Sequence, residues 1–291
     1  MALKGRVEFM LNYTISGFSD EIDKMVDVQF AHLNKLGIGW FEPRGIDGKN
    51  ISDLNDADCA ALAEKMKKYG IRVSSIGSPI GKIGIGDDFD AHMEKLARTI
   101  KIAKKLGARY IRVFSFYIPE GEEPETYRDE VMRRMKAMCA LAEREDIVLL
   151  HENEKGIYGD IAPRCADILK TVNSERLRAV FDPANFVQCG QKTFPDAFDM
   201  LAPYVEYMHI KDALADGSVV PAGMGEGRVG DILKALADRN YTGFLSLEPH
   251  LGSFEGLGAL EQDDKMTKLA KSSAEKFTLA YDSLMNLISA L

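Results

Sequence analysis

The sequence predicts an α/β fold, a closed (β/α)8 or TIM barrel, on three observations. Short apolar runs typical of buried strands alternate with longer amphipathic stretches typical of helices, and eight such units follow one another. Several amphipathic stretches end at a glycine, as at Gly37, Gly70 and Gly107, where helices commonly stop. Eight parallel strands with right-handed crossovers imply closure into a barrel. An open doubly wound sheet is the alternative, but it predicts a glycine-rich phosphate turn after the first strand, and residues 17–19 do not form one.

The strands are predicted where aliphatic, β-branched and aromatic residues cluster over a few positions. The first of them is weak, whereas the fifth is clear, because its apolar run leads directly into Glu152. In order, the predicted strands are Thr14–Gly17, Gly39–Glu42, Ile71–Ile76, Tyr110–Phe114, Ile147–Glu152, Leu177–Asp182, Val205–Ile210 and Phe244–Leu247.

The helices are predicted from apolar spacing and from end signals. Leu62, Met66 and Tyr69 recur at helical spacing, and Ser19 is the expected N-cap of the first helix, with two acidic residues in the first turn. In order, the predicted helices are 19–36, 56–69, 89–106, 125–143, 163–172, 193–201, 232–238 and a long amphipathic helix from about Lys265.

Length and composition favour one domain and a small-molecule partner. The chain has 291 residues, an apolar share of 46%, no low-complexity linker and no break in composition, so residues 1–291 are predicted to form a single barrel domain. The net charge of −8 and the pI near 5.3 argue against a nucleic-acid partner, which requires a basic face. A homo-oligomer is compatible with this composition.

The same composition bears on location. No apolar run reaches the roughly 18 residues of a transmembrane helix, so no membrane partner is expected. The first ten residues alternate charged with apolar side chains instead of forming a signal-peptide core. The spacing of Cys59, Cys139, Cys165 and Cys189 fits neither a zinc motif nor a small disulfide scaffold. We expect a soluble, reduced, cytoplasmic protein.

Four side chains of metal-ligand type stand at equivalent positions, the carboxyl ends of strands five to eight. They are Glu152, Asp182, His209 and Glu248. Strand alternation turns all four into the barrel and turns His151 towards the helices. A salt bridge would explain any one of these carboxylates, but an unpaired charge in a barrel mouth is costly. Hard oxygen ligands with one imidazole suit a divalent ion, so the four together predict a shared metal site.

With these residues in place, the sequence resembles the xylose isomerase-like barrels usually labelled sugar phosphate isomerase/epimerase, which are related to ketose 3-epimerases and endonuclease IV. The resemblance covers most of the chain, and its motifs are specific in combination although each alone is weak. The motifs are FEPRG at Glu42, HENE at Glu152, FDPAN at Asp182, MHIKDA at His209, GMGEGRVG near Gly225 and LEPH at Glu248.

The resemblance implies that the four residues ligate one divalent ion, often manganese, magnesium, cobalt or zinc. It also implies that Glu152 and Glu248 lie on opposite faces of a keto sugar and exchange protons with it. The expected activity is metal-dependent isomerisation or epimerisation through an enediolate. A lyase or dehydratase that acts on a keto-inositol or a 3-keto-glycoside is the alternative.

Substrate contacts are expected from Glu42, Asn185, Lys211 and His250. Asn185 stands where ketose 3-epimerases usually have a substrate-contacting histidine, and the arginine that they usually carry soon after the strand-seven histidine is absent from residues 213–218. Lys211 and Lys155 are therefore the remaining candidate cations for the substrate, and for Lys211 a scaffold pairing with Asp212 or Glu42 is the alternative.

The glycines at 223, 225 and 227 lie after strand seven, where barrels often bind phosphate. A tight turn is favoured instead, because only Arg228 offers nearby positive charge and Glu226 opposes an anion. A neutral polyol ketone is therefore the expected substrate.

Two further classes remain as alternatives. An endonuclease-IV-like enzyme needs a three-metal cluster and a DNA-binding face, which five histidines and an acidic surface do not favour. A non-catalytic sugar-binding barrel would keep the core but would have no need of four ligands.

Overall fold

The computed structural model describes residues 12–253 and 270–291, and these residues form the predicted α/β barrel. Eight strands surround the barrel axis and helices cover them. The strands are β1 Thr14–Gly17, β2 Trp40–Phe41, β3 Arg72–Val73, β4 Tyr110–Val113, β5 Val148–Glu152, β6 Leu177–Phe181, β7 Val205–Ile210 and β8 Phe244–Leu247.

Parallel pairing places all the strand ends on one side. β1, β8, β7, β6, β5 and β4 form a continuous parallel sheet in that order, and β2 pairs with β3. The amide of Glu42 donates to the carbonyl of Gly17 at 2.9 Å and joins β2 to β1. A parallel bridge between Ile76 and Ile111 joins the chain after β3 to β4. The carboxyl ends therefore open together at one face, here called the mouth.

The helices follow the strands as predicted, with several changes at their ends. A 3-10 turn precedes α4, a π-helical segment at 193–197 precedes α7, and the short α6 was not predicted. The predicted helix start near Lys265 lies outside the described residues, and the last helix begins at Ala274. The helices are α1 Val26–Lys35, α2 Asp56–Tyr69, α3 Phe89–Leu106, α4 Arg128–Arg144, α5 Ala162–Val172, α6 Pro183–Gln188, α7 Phe198–Leu201, α8 Val229–Asp238 and α9 Ala274–Ser289.

The predicted start of the first helix at Ser19 is wrong. Residues 19–21 form only a 3-10 turn, and α1 begins at Val26. The Ser19 hydroxyl does not cap this turn but donates to Oε1 of Gln29 at 2.8 Å. The turn directs Glu21 towards the mouth, where it accepts the backbone N–H of His250. A distant partner therefore decides the local conformation against the capping signal.

Apolar side chains divide between the two faces of the strands. Outward-facing residues such as Leu149 and Met208 join the large core between strands and helices. His151 also points outward, and its Nε2 lies 3.0 Å from Oγ of Ser115. A separate small cluster packs on the inward face, as strand alternation predicts. Its buried members are Val148, Leu150, Val180 and Tyr207.

Within the described residues, none of the helices combines the length and the apolar character that crossing a membrane requires.

A buried histidine at the start of α3 gives a prediction for stability. Nε2 of His92 accepts the amide of Gly81 at 2.7 Å. Burial, aided by Lys95 and Arg134, lowers the pKa of His92 from 6.5 to about 4. The unfolded chain therefore binds more protons than the folded chain between these values, so the stability contributed by the neutral ring is present above pH 6.5 and is lost as the pH falls towards 4.

The variant His92→Gln keeps an acceptor for the Gly81 amide without titrating. We expect the free energy of unfolding of the wild type to fall relative to this variant by about 3 kcal/mol from pH 7 to pH 4, at about 1.4 kcal/mol per unit of pKa shift. Urea unfolding at several pH values measures the difference. Parallel pH profiles for the two proteins would show that His92 is not the responsible group.

Candidate metal centre at the barrel mouth

The four predicted ligands converge at the mouth. Nδ1 of His209 lies 2.9 Å from Oε1 of Glu152 and 3.3 Å from Oε2 of Glu248. The same nitrogen lies 3.9 Å from Oδ2 of Asp182. One ligand atom from each residue lies within 4.8 Å of all the others, and all four side chains are buried.

The strands place these groups directly. Glu152 is the last residue of β5, and His209 lies on β7 with Ser246 of β8 as its register partner. Glu248 follows β8 by one residue. Asp182 follows β6 and caps α6, because its Oδ1 accepts the amide of Asn185 at 2.9 Å. Only one Asp182 oxygen is used by the cap, so Oδ2 remains directed at the cluster.

The donor set fits a divalent ion. Three carboxylate oxygens and one imidazole nitrogen are ligands that magnesium, manganese, cobalt and zinc all accept. Oδ2 of Asp182 is buried and makes no hydrogen bond in the described structure, although Nζ of Lys211 lies 3.0 Å away. Oε2 of Glu152 is likewise buried without a hydrogen bond, so both oxygens are suited to a cation as a further partner.

The pKa shifts reflect this crowding. Burial raises the pKa of Asp182 to about 7, against Lys211, and the charge of Glu248 adds to the rise. Burial would also raise the pKa of Glu248, but Lys211, followed by His250 and His209, holds it well below its usual value. Glu248 is therefore ionised at neutral pH.

Two of the predicted substrate contacts lie against the cluster. Nδ2 of Asn185 donates to Oε1 of Glu152 at 3.3 Å. Nζ of Lys211 lies 3.0 Å from Asp182 and 3.1 Å from Glu248. These acidic partners differ from the scaffold partners considered for Lys211 from the sequence. The lysine therefore joins the β6 and β8 ends of the candidate site.

Two arginines that sequence reasoning missed contact the same glutamates. Nη1 of Arg112 lies 3.2 Å from Glu152 and 3.7 Å from Glu248, and Nη1 of Arg44 lies 3.4 Å from Glu248. The guanidinium group of Arg44 lies 4.5 Å, and that of Arg112 4.9 Å, from the centroid of the Phe18 ring. Two signals could have identified them: Arg44 belongs to the FEPRG motif, and Arg112 is a charge within an otherwise apolar strand, where it needs a partner.

His250, also a predicted substrate contact, lies beside Glu248. Its Nε2 lies 3.4 Å from Oε1 of Glu248 and 3.3 Å from Nη1 of Arg44. Its backbone has φ of +44°, a strained conformation for histidine, and its amide donates to Glu21 at 2.8 Å. Burial raises the pKa of Glu21 to about 8, although Arg44 opposes the rise. The loop after β8 is thus fixed by a buried carboxylate from the loop after β1.

Glu42 occupies a different place from the other predicted substrate contacts. Its Oε2 lies 3.3 Å from Nε2 of His209, the ring nitrogen that faces away from the three carboxylates. The same oxygen accepts hydrogen bonds from the hydroxyls of Tyr207 and Ser246 in the barrel interior. Glu42, a predicted substrate contact, thus lies on the side of the imidazole opposite to the three carboxylates.

The glycine loop after β7 is a turn built around Asp212. Its carboxylate accepts the amides of Gly223, Gly225 and Gly227 at 2.8–3.0 Å, and that of Ala213 at 2.9 Å. These loop amides are bonded within the chain, which is the arrangement expected of a tight turn rather than of a phosphate site.

Comparison with known proteins gives one curated relative and many similar structures. A 3-dehydroshikimate dehydratase from Bacillus anthracis is 22% identical over 185 residues, which is 64% of this chain. The match spans 65% of that protein, a little under two thirds of its length.

Two solved structures illustrate the likeness of fold. The IOLI protein with a bound zinc atom has a TM-score of 0.74 at 14% identity, over 95% of this chain and 98% of its own. The 3-keto-D-glucoside 4-epimerase YcjR from E. coli has a TM-score of 0.67 at 15% identity, over 96% of this chain and 99% of its own. At such identities the likeness shows the fold and not the reaction.

A family model described as the xylose isomerase-like TIM barrel matches residues 30–272. This span includes the strand ends from β2 to β8 and all four residues of the candidate metal centre. The chain therefore belongs to the xylose isomerase-like TIM barrel family.

Proposed function

We propose that this chain is a divalent-metal-dependent isomerase or epimerase of a keto sugar or keto-polyol. The reaction removes a proton from the carbon next to the carbonyl and passes through an enediolate. The convergence of Glu152, Asp182, His209 and Glu248 at the ends of four successive strands carries this proposal. The family and its enzyme members support the general class.

Glu152, Asp182, His209 and Glu248 would hold the ion, with Nδ1 as the histidine ligand atom. When bound, the ion acts as a Lewis acid that polarises the substrate carbonyl and acidifies the neighbouring C–H bond. Burial keeps water away from the four ligand atoms and strengthens their electrostatic interactions.

Glu152 is the better base of the two glutamates. Burial raises its pKa while His209 and Arg112 lower it, and the balance keeps the carboxylate ionised. Glu248 faces more cationic groups, with Lys211 and Arg44 at 3.1 and 3.4 Å, which weakens it as a proton acceptor. We assign proton abstraction to Glu152. On the opposite face, the ammonium of Lys211, 3.1 Å from Glu248, would supply the proton that the Glu248 carboxylate passes to the substrate.

Asn185, Lys211 and His250 would contact the substrate. Asn185 and Lys211 hold ligand carboxylates from the side and present N–H donors that suit hydroxyl groups. His250 lies at Glu248, where its ring can bond a hydroxyl next to the reacting carbon.

Dehydration is the second candidate function, favoured by the match to a dehydratase and by the unequal glutamates. In this reaction Glu152 removes the proton, a carbon–carbon double bond forms, and the hydroxyl on the next carbon leaves as water after protonation. The ammonium of Lys211, 3.1 Å from Glu248, would protonate this leaving hydroxyl. Elimination needs only one carboxylate base, whereas epimerisation needs a group on each face.

Product analysis separates the two candidates. Purified protein loaded with manganese would be incubated with keto sugars, keto-inositols and 3-keto-glycosides and followed by proton NMR. A new isomer supports the proposed isomerase or epimerase, and a new alkene or enone signal supports dehydration. A protein that binds the metal but converts none of these compounds would contradict both.

A comparison of substrates tests the expected neutral charge. The Asp212-bound glycine loop supports a substrate without phosphate, as does Arg228, which is exposed and pairs with Asp231 at 2.6 Å. We expect the unphosphorylated sugar to be turned over with the higher kcat/KM when the two forms are compared. A clear preference for the phosphorylated form, lost in Arg228→Ala or Lys211→Ala, would overturn this expectation.

We also propose that residues 1–291 form a single domain that works in the cytoplasm. The four cysteines lie in the described part of the chain and are free thiols, and three of them are buried. This supports a reducing compartment.

A further inference from the structure

We propose that Glu42 is a positioning residue for the metal centre, which fixes the His209 imidazole so that Nδ1 faces the ion. The inference rests on the proposed metal-dependent function and goes beyond its ligands. It assigns to the strand-two glutamate of the FEPRG motif a role in metal affinity instead of substrate contact.

The two nitrogens of the His209 ring have different surroundings. Nδ1 faces the three carboxylates of the candidate centre, with the nearest oxygen at 2.9 Å. Nε2 lies 3.3 Å from Oε2 of Glu42, a distance within the range of an ion pair, and makes no hydrogen bond in the described structure. A ring that donates Nε2–H to Glu42 keeps the lone pair of Nδ1 free for a metal. A hydrogen-bonded carboxylate behind the ring also makes that nitrogen a stronger ligand.

Glu42 is itself held in place by neighbouring hydroxyls. Tyr207 and Ser246 each donate to its Oε2 at 2.8 Å. The Tyr207 hydroxyl lies 2.9 Å from Oγ of Ser74, which in turn donates to the carbonyl of Phe41 at 3.0 Å. Strands β7 and β8 therefore each supply one donor to this carboxylate oxygen, and Ser74, the residue after β3, contacts the donor from β7.

The buried carboxylate of Glu42 does not by itself stabilise the fold. Glu42 is 1% exposed, and its other oxygen, Oε1, makes no hydrogen bond within the described residues. A buried carboxylate oxygen without a partner destabilises a protein, whereas an apolar side chain could fill the same interior. The presence of Glu42 is better explained by the His209 ring that its carboxylate faces.

Aromatic packing alone does not determine which nitrogen of His209 carries the proton. Phe18 and Tyr207 meet the His209 ring edge to face, at centroid distances of 5.2 and 5.8 Å. Such contacts fix the plane of the ring but do not decide which nitrogen carries a proton, since they involve no acceptor. Glu42 supplies the acceptor.

Metal affinity of the variant Glu42→Gln provides the first test. Calorimetric titration with Mn²⁺ and with Zn²⁺ is expected to show binding about 10–100-fold weaker than for the wild type. Ser246→Ala removes one hydroxyl that holds Glu42, so a smaller loss is expected and the test survives if the first variant does not fold. Glu154→Gln is the matched control, because it neutralises another buried carboxylate at the mouth, one that pairs with Lys82, and should bind the metals as the wild type does.

The Nε2 proton of His209 provides a second readout that a general loss of stability would not produce. In the wild type we expect a downfield, slowly exchanging proton resonance, assigned with ¹⁵N-labelled histidine. It should be lost or shifted upfield in Glu42→Gln and unchanged in Glu154→Gln. Folded Glu42→Gln protein with wild-type metal affinity would overturn the inference.

Metal affinity and the His209 proton resonance together distinguish failure of the proposed function from failure of the proposed role of Glu42. If the wild type binds neither metal, the proposed function fails, and the role of Glu42 is then judged by the proton resonance of the metal-free protein. A resonance that is the same in wild type and Glu42→Gln would overturn that role as well. A resonance that depends on Glu42 would support it.

Discussion

Glu152→Gln is expected to lower turnover by at least ~10²–10⁴-fold with the metal still bound, the range typical of general acid–base catalysis. Glutamine keeps the size of the side chain and one weak oxygen ligand but removes its basicity. Glu248→Gln is expected to lose a similar factor in an epimerisation, because the second face then lacks the carboxylate that passes the proton from Lys211 to the substrate. Turnover at saturating manganese, with metal content measured on the same samples, tests both. The control is Glu154→Gln, whose carboxylate pairs with Lys82.

Heavy water separates the roles of the two glutamates. Glu152→Gln should no longer exchange the substrate proton next to the carbonyl with solvent deuterium. Glu248→Gln should still exchange it while forming little epimer, since abstraction occurs on the other face. If both variants keep near-normal turnover with metal bound, the assignment is wrong, and Lys211 or His250 becomes the next base to test.

Removal of the metal by a chelator is expected to abolish activity and to lower the melting temperature. A ligand that binds only the folded state adds about 2.7 kcal/mol at a hundred times its dissociation constant. For a protein of this size that corresponds to a shift of ~5–10 °C. Differential scanning calorimetry with and without manganese measures the shift, and adding the metal back should restore both properties.

Asp182→Asn is the matched control for this shift. The amide oxygen can still accept the Asn185 amide at the start of α6, so the cap is kept while a charged ligand is lost. We expect the melting temperature of this variant to respond little to manganese. Full activity in chelated protein shown to be free of metal would contradict the metal proposal. So would a manganese-grown structure with the four side chains more than about 4 Å from any ion.

The barrel could be predicted from the sequence because its signals are local. Apolar strands, amphipathic helices and glycine stops each lie within one short segment. The start of α1 could not be predicted, because Glu21 has its partners, Arg44 and the amide of His250, far away in the sequence. Ser19 and the two acidic residues after it are of the types that begin a helix, but tertiary contacts determine the conformation of this segment.

The convergence of the four candidate ligands was predictable for the same reason, since each follows an apolar strand. The groups around them were harder to predict, because Arg44 and Arg112 reach the glutamates from other parts of the barrel. Pairing across a barrel depends on side-chain length and direction, which strand alternation alone does not determine. The acidic partners of Lys211 were missed for this reason.

The turn around Asp212 has a consequence for the evolution and redesign of this barrel. Its carboxylate occupies the amides of the loop after β7, the region in which other barrels often bind a phosphate. A Cβ at Gly225 or Gly227 would come within 2.4 or 2.6 Å of Oδ1, so neither glycine can be replaced while the Asp212 carboxylate keeps its place. A lineage, or a designer, that moves towards phosphorylated sugars must replace Asp212 first, and the freed amides could then bind a ligand.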